Sequence, residues 1–172
     1  ATAAGVRKLT LGNIAFQARC TRTYSPLTLE RALEDIQSFS CLRTLELCVV
    51  HMRGGPADQE HLVQLAALSA LPCLQQLTFC CSLYWGAVAI HVPGLRQLRS
   101  LAVGVCGPVA VSVSLQGPLT QLTKLLLNTR RIAQVSASSP DALPALQELA
   151  LGRSPPTWQP GLLRRGQLLE LH

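Results

Sequence analysis

A phrase of the form L-x-x-L-x-x-L-x-L returns at a fixed interval through the chain, and it constrains the fold more than any other feature. It reads Leu71, Leu74, Leu77, Phe79, then Leu95, Leu98, Leu101, Val103, then Leu119, Leu122, Leu125, Leu127, then Leu143, Leu146, Leu149, Leu151. All 16 positions are apolar, 14 are Leu, and successive starts lie 24 residues apart. With 48% of the chain hydrophobic, 16 apolar hits at 16 positions arise by chance about once in 10⁵ trials. Weaker copies flank the four: Ala3, Val6, Leu9, Leu11 and Phe39, Leu42, Leu45, Leu47 before them, and Leu163, Gly166, Leu169, Leu171 after. Seven units result, with start-to-start spacings of 36, 32, 24, 24, 24 and 20.

The pattern has a direct physical meaning. Strand side chains alternate, so L-x-L puts two side chains on one face. The Leu three residues earlier sits on the turn leading in and points to the same interior. One unit buries too little apolar surface to stand alone, so units stack and their strands pair in parallel. Strands are expected near 7–12, 43–48, 75–80, 99–104, 123–128, 147–152 and 167–172. At about 4.8 Å per strand, seven strands span roughly 30 Å.

The segment Leu122-Thr-Lys-Leu125-Leu-Leu127 resembles the leucine-rich repeat family, whose units run 20 to 29 residues. The resemblance covers essentially the whole chain. It implies an α/β solenoid with a curved parallel sheet on the concave side, and with helices, then short extended or 3-10 segments, on the convex side. It also implies a non-catalytic module that binds a protein through that sheet. The chain departs from the family at the slot that favours Asn or Cys, where it has Ile14, Val50, Ser82, Cys106, Arg130 and Ser154. Only Cys106 fits, so irregular turns are expected.

The return segments differ along the chain. Ser25-Pro26 offers a helix start, with Leu29, Leu33 and Ile36 at helical spacing behind it. Gly55-Pro56 suggests a second helix through Leu62, Leu65 and Leu68. The 24-residue units alternate instead, through Val88, Ile90, Val92 and through Val109, Val111, Val113, Leu115, and read as extended. The run Ser154 to Gly161 holds Pro155, Pro156 and Pro160 and reads as a loop or polyproline-like crossing. The chain ends at Leu171-His172 inside an expected strand with no polar cap, so a longer array is expected.

Composition narrows the function classes. Seven Cys with no C-x-x-C and no N-x-S/T sequon argue for a reducing, intracellular, cytoplasmic setting rather than a secreted disulfide scaffold. An organelle reached through a removed transit peptide is the alternative. No run of 18 apolar residues exists, so no membrane-spanning helix is expected. Net charge is +6, from 13 Arg and 2 Lys against 9 acidic residues, which favours acidic partners.

Candidate chemistry is thin. Cys41 and Cys73 are 32 residues apart, as are Cys48 and Cys80, and 32 is the local repeat spacing. Each pair therefore falls on equivalent sites of neighbouring units, with Cys81 and His51 close in sequence. A redox or metal role is conceivable, but repeat degeneracy with Cys as a small hydrophobe is the preferred reading. His51, His61, His91 and His172 lack ligand spacing and read as surface or loop residues. Nucleophile elbows, phosphate-cradling glycine loops and paired acids are missing from the sequence, and Gly104-Val-Cys-Gly107 is a poor match to a phosphate loop. No catalytic residue, metal or cofactor is assigned.

The outward strand positions are where such a protein binds. They include Arg7, Lys8, Arg43, Glu46, Gln75, Gln76, Arg99, Lys124, Leu126 and Glu148. Arg7, Arg43, Arg99 and Lys124 come from four units and suggest a basic stripe flanked by Gln and Thr. Tyr84-Trp85 and Trp158 serve either as interface anchors or, preferably, as plugs between irregular repeats. The leading expectation is a scaffold or assembly subunit gripping an acidic protein. Alternatives are a basic subunit contacting RNA, or the substrate receptor of a ubiquitin ligase, although the adaptor-binding segment of the latter is missing from this sequence.

Overall fold

The computed structural model describes residues 5–14, 28–52, 60–83, 86–137, 143–151 and 157–158. In chain order its elements are β1 (Lys8–Ile14), α1 (Leu29–Ile36), β2 (Thr44–Met52), β3 (Glu60–Gln64), a 3-10 turn (Ala66–Ala70), β4 (Gln76–Leu83) and β5 (Ala87–Pro93). There follow β6 (Ser100–Cys106), β7 (Ala110–Gln116), β8 (Lys124–Thr129), β9 (Ile132–Ala137), β10 (Glu148–Leu151) and β11 (Thr157–Trp158). The strands fall into a six-stranded sheet, ordered β1-β2-β4-β6-β8-β10, and a five-stranded sheet, ordered β11-β9-β7-β5-β3. Every pairing is parallel. From β2 onward the chain visits the two sheets in turn, which makes it a parallel β-solenoid.

The recurrent phrase accounts for the first sheet. Each L-x-x-L closes a tight turn, in which the N–H of Leu74, Leu98, Leu122 and Leu146 donates to the carbonyl of Leu71, Leu95, Leu119 and Leu143. That turn aims both leucines of the pair inward, and all eight are buried. The L-x-L that follows enters a strand and stacks in register, as in Leu45↔Leu77↔Leu101↔Leu125↔Leu149. A further inward row, Val49↔Cys81↔Val105↔Thr129, completes each strand.

The second sheet seals the other side with Val63, Val88, Ile90, Val92, Val111, Val113, Leu115 and Val135, all buried. Its strands alternate, as the burial of Val111, Val113 and Leu115 between half-buried neighbours shows. Leucines of one sheet and valines of the other thus form one continuous core. Burial of this aliphatic surface, at roughly 25 cal/mol per Å², is what drives the turns together.

Three features differ from the sequence expectation. First, this is a β-solenoid with a single α-helix among the described residues, rather than an α/β stack. That helix, α1, is capped by Thr28, whose hydroxyl accepts from the Arg31 N–H at 3.2 Å, and it buries Leu29, Ala32, Leu33 and Ile36. Ser25-Pro26 lies outside the described residues. Second, the helix expected through Leu62, Leu65 and Leu68 is the strand β3 followed by a 3-10 turn. Leu62 is 46% exposed while Val63 is fully buried, a period of two that no helix face produces. Pairing of β3 with β5 satisfies the backbone groups along that edge, and this tertiary gain outweighs helical spacing. Third, Thr157–Trp158 is a short strand on β9 rather than part of a loop. The strand expected at 167–172 lies outside the described residues, as do Gly55-Pro56 and Tyr84-Trp85.

Glycine makes the joints between the sheets possible. Gly107, where the chain leaves β6 for the second sheet, has φ +137°, and a Cβ there would sit 1.6 Å from the Leu83 carbonyl oxygen. Only glycine fits. Gly94 and Gly117 lie one turn apart and touch, with a Cβ on Gly117 reaching 3.0 Å from the Gly94 Cα.

Candidate binding face

Parallel register turns the outward residues of the first sheet into rows. One row is Lys8, Thr44, Gln76, Ser100, Lys124, Glu148, and the next is Thr10, Glu46, Thr78, Ala102, Leu126, Ala150. A third holds Cys48, Cys80, Gly104 and Asn128.

Just before the strands begin, a staircase of backbone bonds links the units. The carbonyl of Arg7 accepts from Arg43 and Thr44, that of Arg43 from Gln75 and Gln76, and that of Gln75 from Arg99 and Ser100. The carbonyl of Arg99 accepts from Thr123 and Lys124, and that of Thr123 from Gln147 and Glu148. These bonds fall between 2.8 and 3.1 Å. Arg7, Arg43, Gln75, Arg99, Thr123 and Gln147 therefore form a row with fixed backbone spacing. At about 4.8 Å per step, Arg7 to Arg99 covers roughly 14 Å. The three arginines are exposed, and none makes an ion pair with a described residue.

The two lysines behave differently. Lys8 Nζ lies 3.2 Å from Glu46 Oε1, and the Thr10 hydroxyl donates to Glu46 Oε2 at 2.9 Å. The Thr10 bond, then Lys8, holds the Glu46 carboxyl below its ordinary value. Lys124 Nζ lies 2.7 Å from Glu148 Oε1 on the adjacent strand. The basic stripe expected from Arg7, Arg43, Arg99 and Lys124 thus resolves into an open arginine row and two neutralised lysines. Leu126 is half-buried between Ala102 and Ala150 rather than standing free. Gln76 accepts from the Thr44 hydroxyl at 3.3 Å.

The lysine pairings were within reach of sequence reasoning. Lys124 and Glu148 are one 24-residue unit apart, so the repeat makes them neighbours. The bond shared by Lys8, Thr10 and Glu46 needed the register across the irregular 36-residue unit.

The remaining candidates are dispersed. His51, His61 and His91 lie within β2, β3 and β5 rather than in loops. His91 Nδ1 is hydrogen-bonded to Gln116 Nε2 at 2.9 Å. His172 is outside the described residues. Among the described residues, no three His, Cys, Asp or Glu side chains converge where a metal ion would sit, and no helix is long and apolar enough to cross a membrane. Cys81 is buried, and burial, reinforced by Cys80, pushes its thiol up to about 12. Gly104 and Gly107 have packing roles: the first lies beside Cys80 and the second forms the joint against Leu83. Comparison with family models, with curated proteins and with solved structures found no match.

Proposed function

We propose that the protein is a non-catalytic binding module of leucine-rich-repeat type, which takes an acidic segment of a protein partner across the outward face of its first sheet. One observation carries the reading: the charged residues of the strands concentrate on that sheet, and Glu60 of β3 is the one charged residue among the described strands of the second. Strands β5, β7 and β9 of the second sheet contain no Asp, Glu, Lys or Arg. Stacking therefore does not require charge, yet the first sheet carries Lys8, Glu46, Lys124 and Glu148 with the open row Arg7, Arg43, Arg99 at its margin. Arginine's planar fork suits carboxylates, and its stem loses less freedom per bond formed than a lysine's.

The repeat type is supported by the L-x-x-L turn and the L-x-L strand recurring together, as in Leu119 to Leu127. A scaffold or assembly subunit inside the cell is the setting that fits. An RNA partner is the weaker reading, because single-stranded RNA is gripped by stacking on aromatics and the outward rows of the first sheet have none.

The test is titration at low salt with an oligo-glutamate peptide of about twelve residues and with an RNA of similar charge. Peptide binding that weakens steeply with added salt, and is abolished by combined Arg7→Glu, Arg43→Glu and Arg99→Glu, is the expected result. Absence of peptide binding, or binding indifferent to those changes, would overturn the proposal. Preference for RNA would transfer the site to the alternative.

A further inference from the structure

The 32-residue spacing that unites Cys48 with Cys80 has a chemical consequence independent of partner binding. Register pairs them directly across β2 and β4, on the outward side, and both are half-exposed. Facing positions on neighbouring parallel strands put the two side chains next to each other. On the far side of Cys80 the facing residue is Gly104, where an added Cβ would lie 3.3 Å from the Cys80 sulfur. The Cys80 sulfur rests over that glycine, so no side chain at position 104 competes with it for space. The other free cysteines of these strands are not so placed: Cys81 points into the core, and Cys106 faces Ser82, two residues along from Gly104.

We propose that Cys48 and Cys80 are a redox-active dithiol, a modification site that closes to a disulfide between β2 and β4 on exposure to a hydroperoxide. Facing residues of parallel strands are about 4.8 Å apart, inside the 4.4–6.8 Å range of Cα separations that disulfides span. In the first step one thiolate attacks the peroxide oxygen, giving a sulfenic acid and releasing water or an alcohol. In the second, the neighbouring sulfur attacks the sulfenic sulfur, the S–O bond breaks, and water leaves with the second thiol's proton. The sum is two thiols and one hydroperoxide giving one disulfide, one alcohol or water, and one further water. A relaxed disulfide prefers Cβ atoms about 3.8 Å apart, so closure draws the strands together by roughly 1 Å. The strained bond is readily reopened by a monothiol such as glutathione. Burial, with Cys48 next, raises the Cys80 thiol above its ordinary value, so closure speeds up as pH rises from 7 to 9.

The experiment uses the full chain, treated at pH 8 with a few equivalents of hydrogen peroxide, followed by intact mass and fragmentation of peptides under non-reducing conditions. The expected result is a loss of 2 Da (about two hydrogens) and a cross-link that fragmentation places on Cys48 and Cys80. Millimolar glutathione then restores two thiols. Cys48→Ser abolishes the cross-link and leaves a sulfenic acid at Cys80 that dimedone traps. Oxygen additions at Cys48 or Cys80 without a cross-link in the unsubstituted protein would overturn the proposal, as would a cross-link confined to other cysteines such as Cys41 and Cys73. None of these readouts depends on the acidic-partner proposal.

Discussion

The two sheets share one backbone geometry and one core, but they present opposite surfaces to solvent. The first turns leucine pairs inward and lysine, glutamate and threonine outward, with arginines along its margin. The second turns valine inward, and its outward positions on β5, β7 and β9 are mostly Ala, Ser and Gln. Inside, both obey the same demand for aliphatic packing at crystal-like density. Outside, nothing in the fold requires them to differ. A difference that folding does not need points to work done on the first face.

The comparison breaks most sharply at the joint between the sheets. Gly107→Ala places a Cβ against the Leu83 carbonyl at a φ that L side chains avoid, and should cost about 3 kcal/mol or more. Thermal unfolding would register it, and a midpoint within a degree of the parent's would show that the joint is not fixed as described. Next come matched truncations of the shared core. Leu125→Ala in the first sheet should cost about 3 kcal/mol and Val113→Ala in the second about 2 kcal/mol, since both are essentially inaccessible. Denaturant melts would reveal a second sheet that is only a loose cover if Val113→Ala cost under about 0.5 kcal/mol.

Smaller effects sharpen the picture. The inward row Val49↔Cys81↔Val105↔Thr129 ends on a buried hydroxyl with no hydrogen-bond partner among the described residues. Thr129→Val should therefore raise stability by about 1 kcal/mol, and a loss would mean the hydroxyl is bonded. On the outward face, Glu148→Gln should cost under about 1 kcal/mol, because the Lys124 pair is about 40% exposed at each end. The smallest effect is a pH dependence. The Glu46 carboxyl is held low by Thr10 and Lys8, so its contribution is full above the ordinary carboxylate range and fades as pH falls through its lowered value. Stability curves of the parent and Glu46→Gln should converge in acid and separate above about pH 5.

Much of the first sheet was legible because its signal is a repeat of Leu positions, and a repeat fixes neighbours without any knowledge of the loops. The second sheet was less so. Val88, Ile90 and Val92 alternate plainly, but Leu62, Leu65 and Leu68 sit at helical spacing while the strand β3 exposes Leu62. Three-residue spacing of leucines is ambiguous when a strand runs into a 3-10 turn, since each element claims part of the series. On the candidate binding face the outward positions could be read from alternation alone. Which cations remain open was only half legible: Lys124 and Glu148 lie one 24-residue unit apart, but the approach of Glu46 to Lys8 depends on the register across the irregular 36-residue unit.

The central claim is that the first sheet binds and the second only supports it. Two variants with equal change in charge separate those roles: Arg43→Glu on the arginine row, and the double change Ser112→Glu with Gln134→Glu on the outward side of β7 and β9. Each lowers the net charge by 2, relative to +6 for the parent. Affinity for the oligo-glutamate peptide, measured for both at one salt concentration, should fall at least about tenfold for Arg43→Glu and less than about twofold for the double variant, tenfold being about 1.4 kcal/mol. Equal losses in the two would mean that the peptide responds to overall charge, and the division of labour between the sheets would be contradicted.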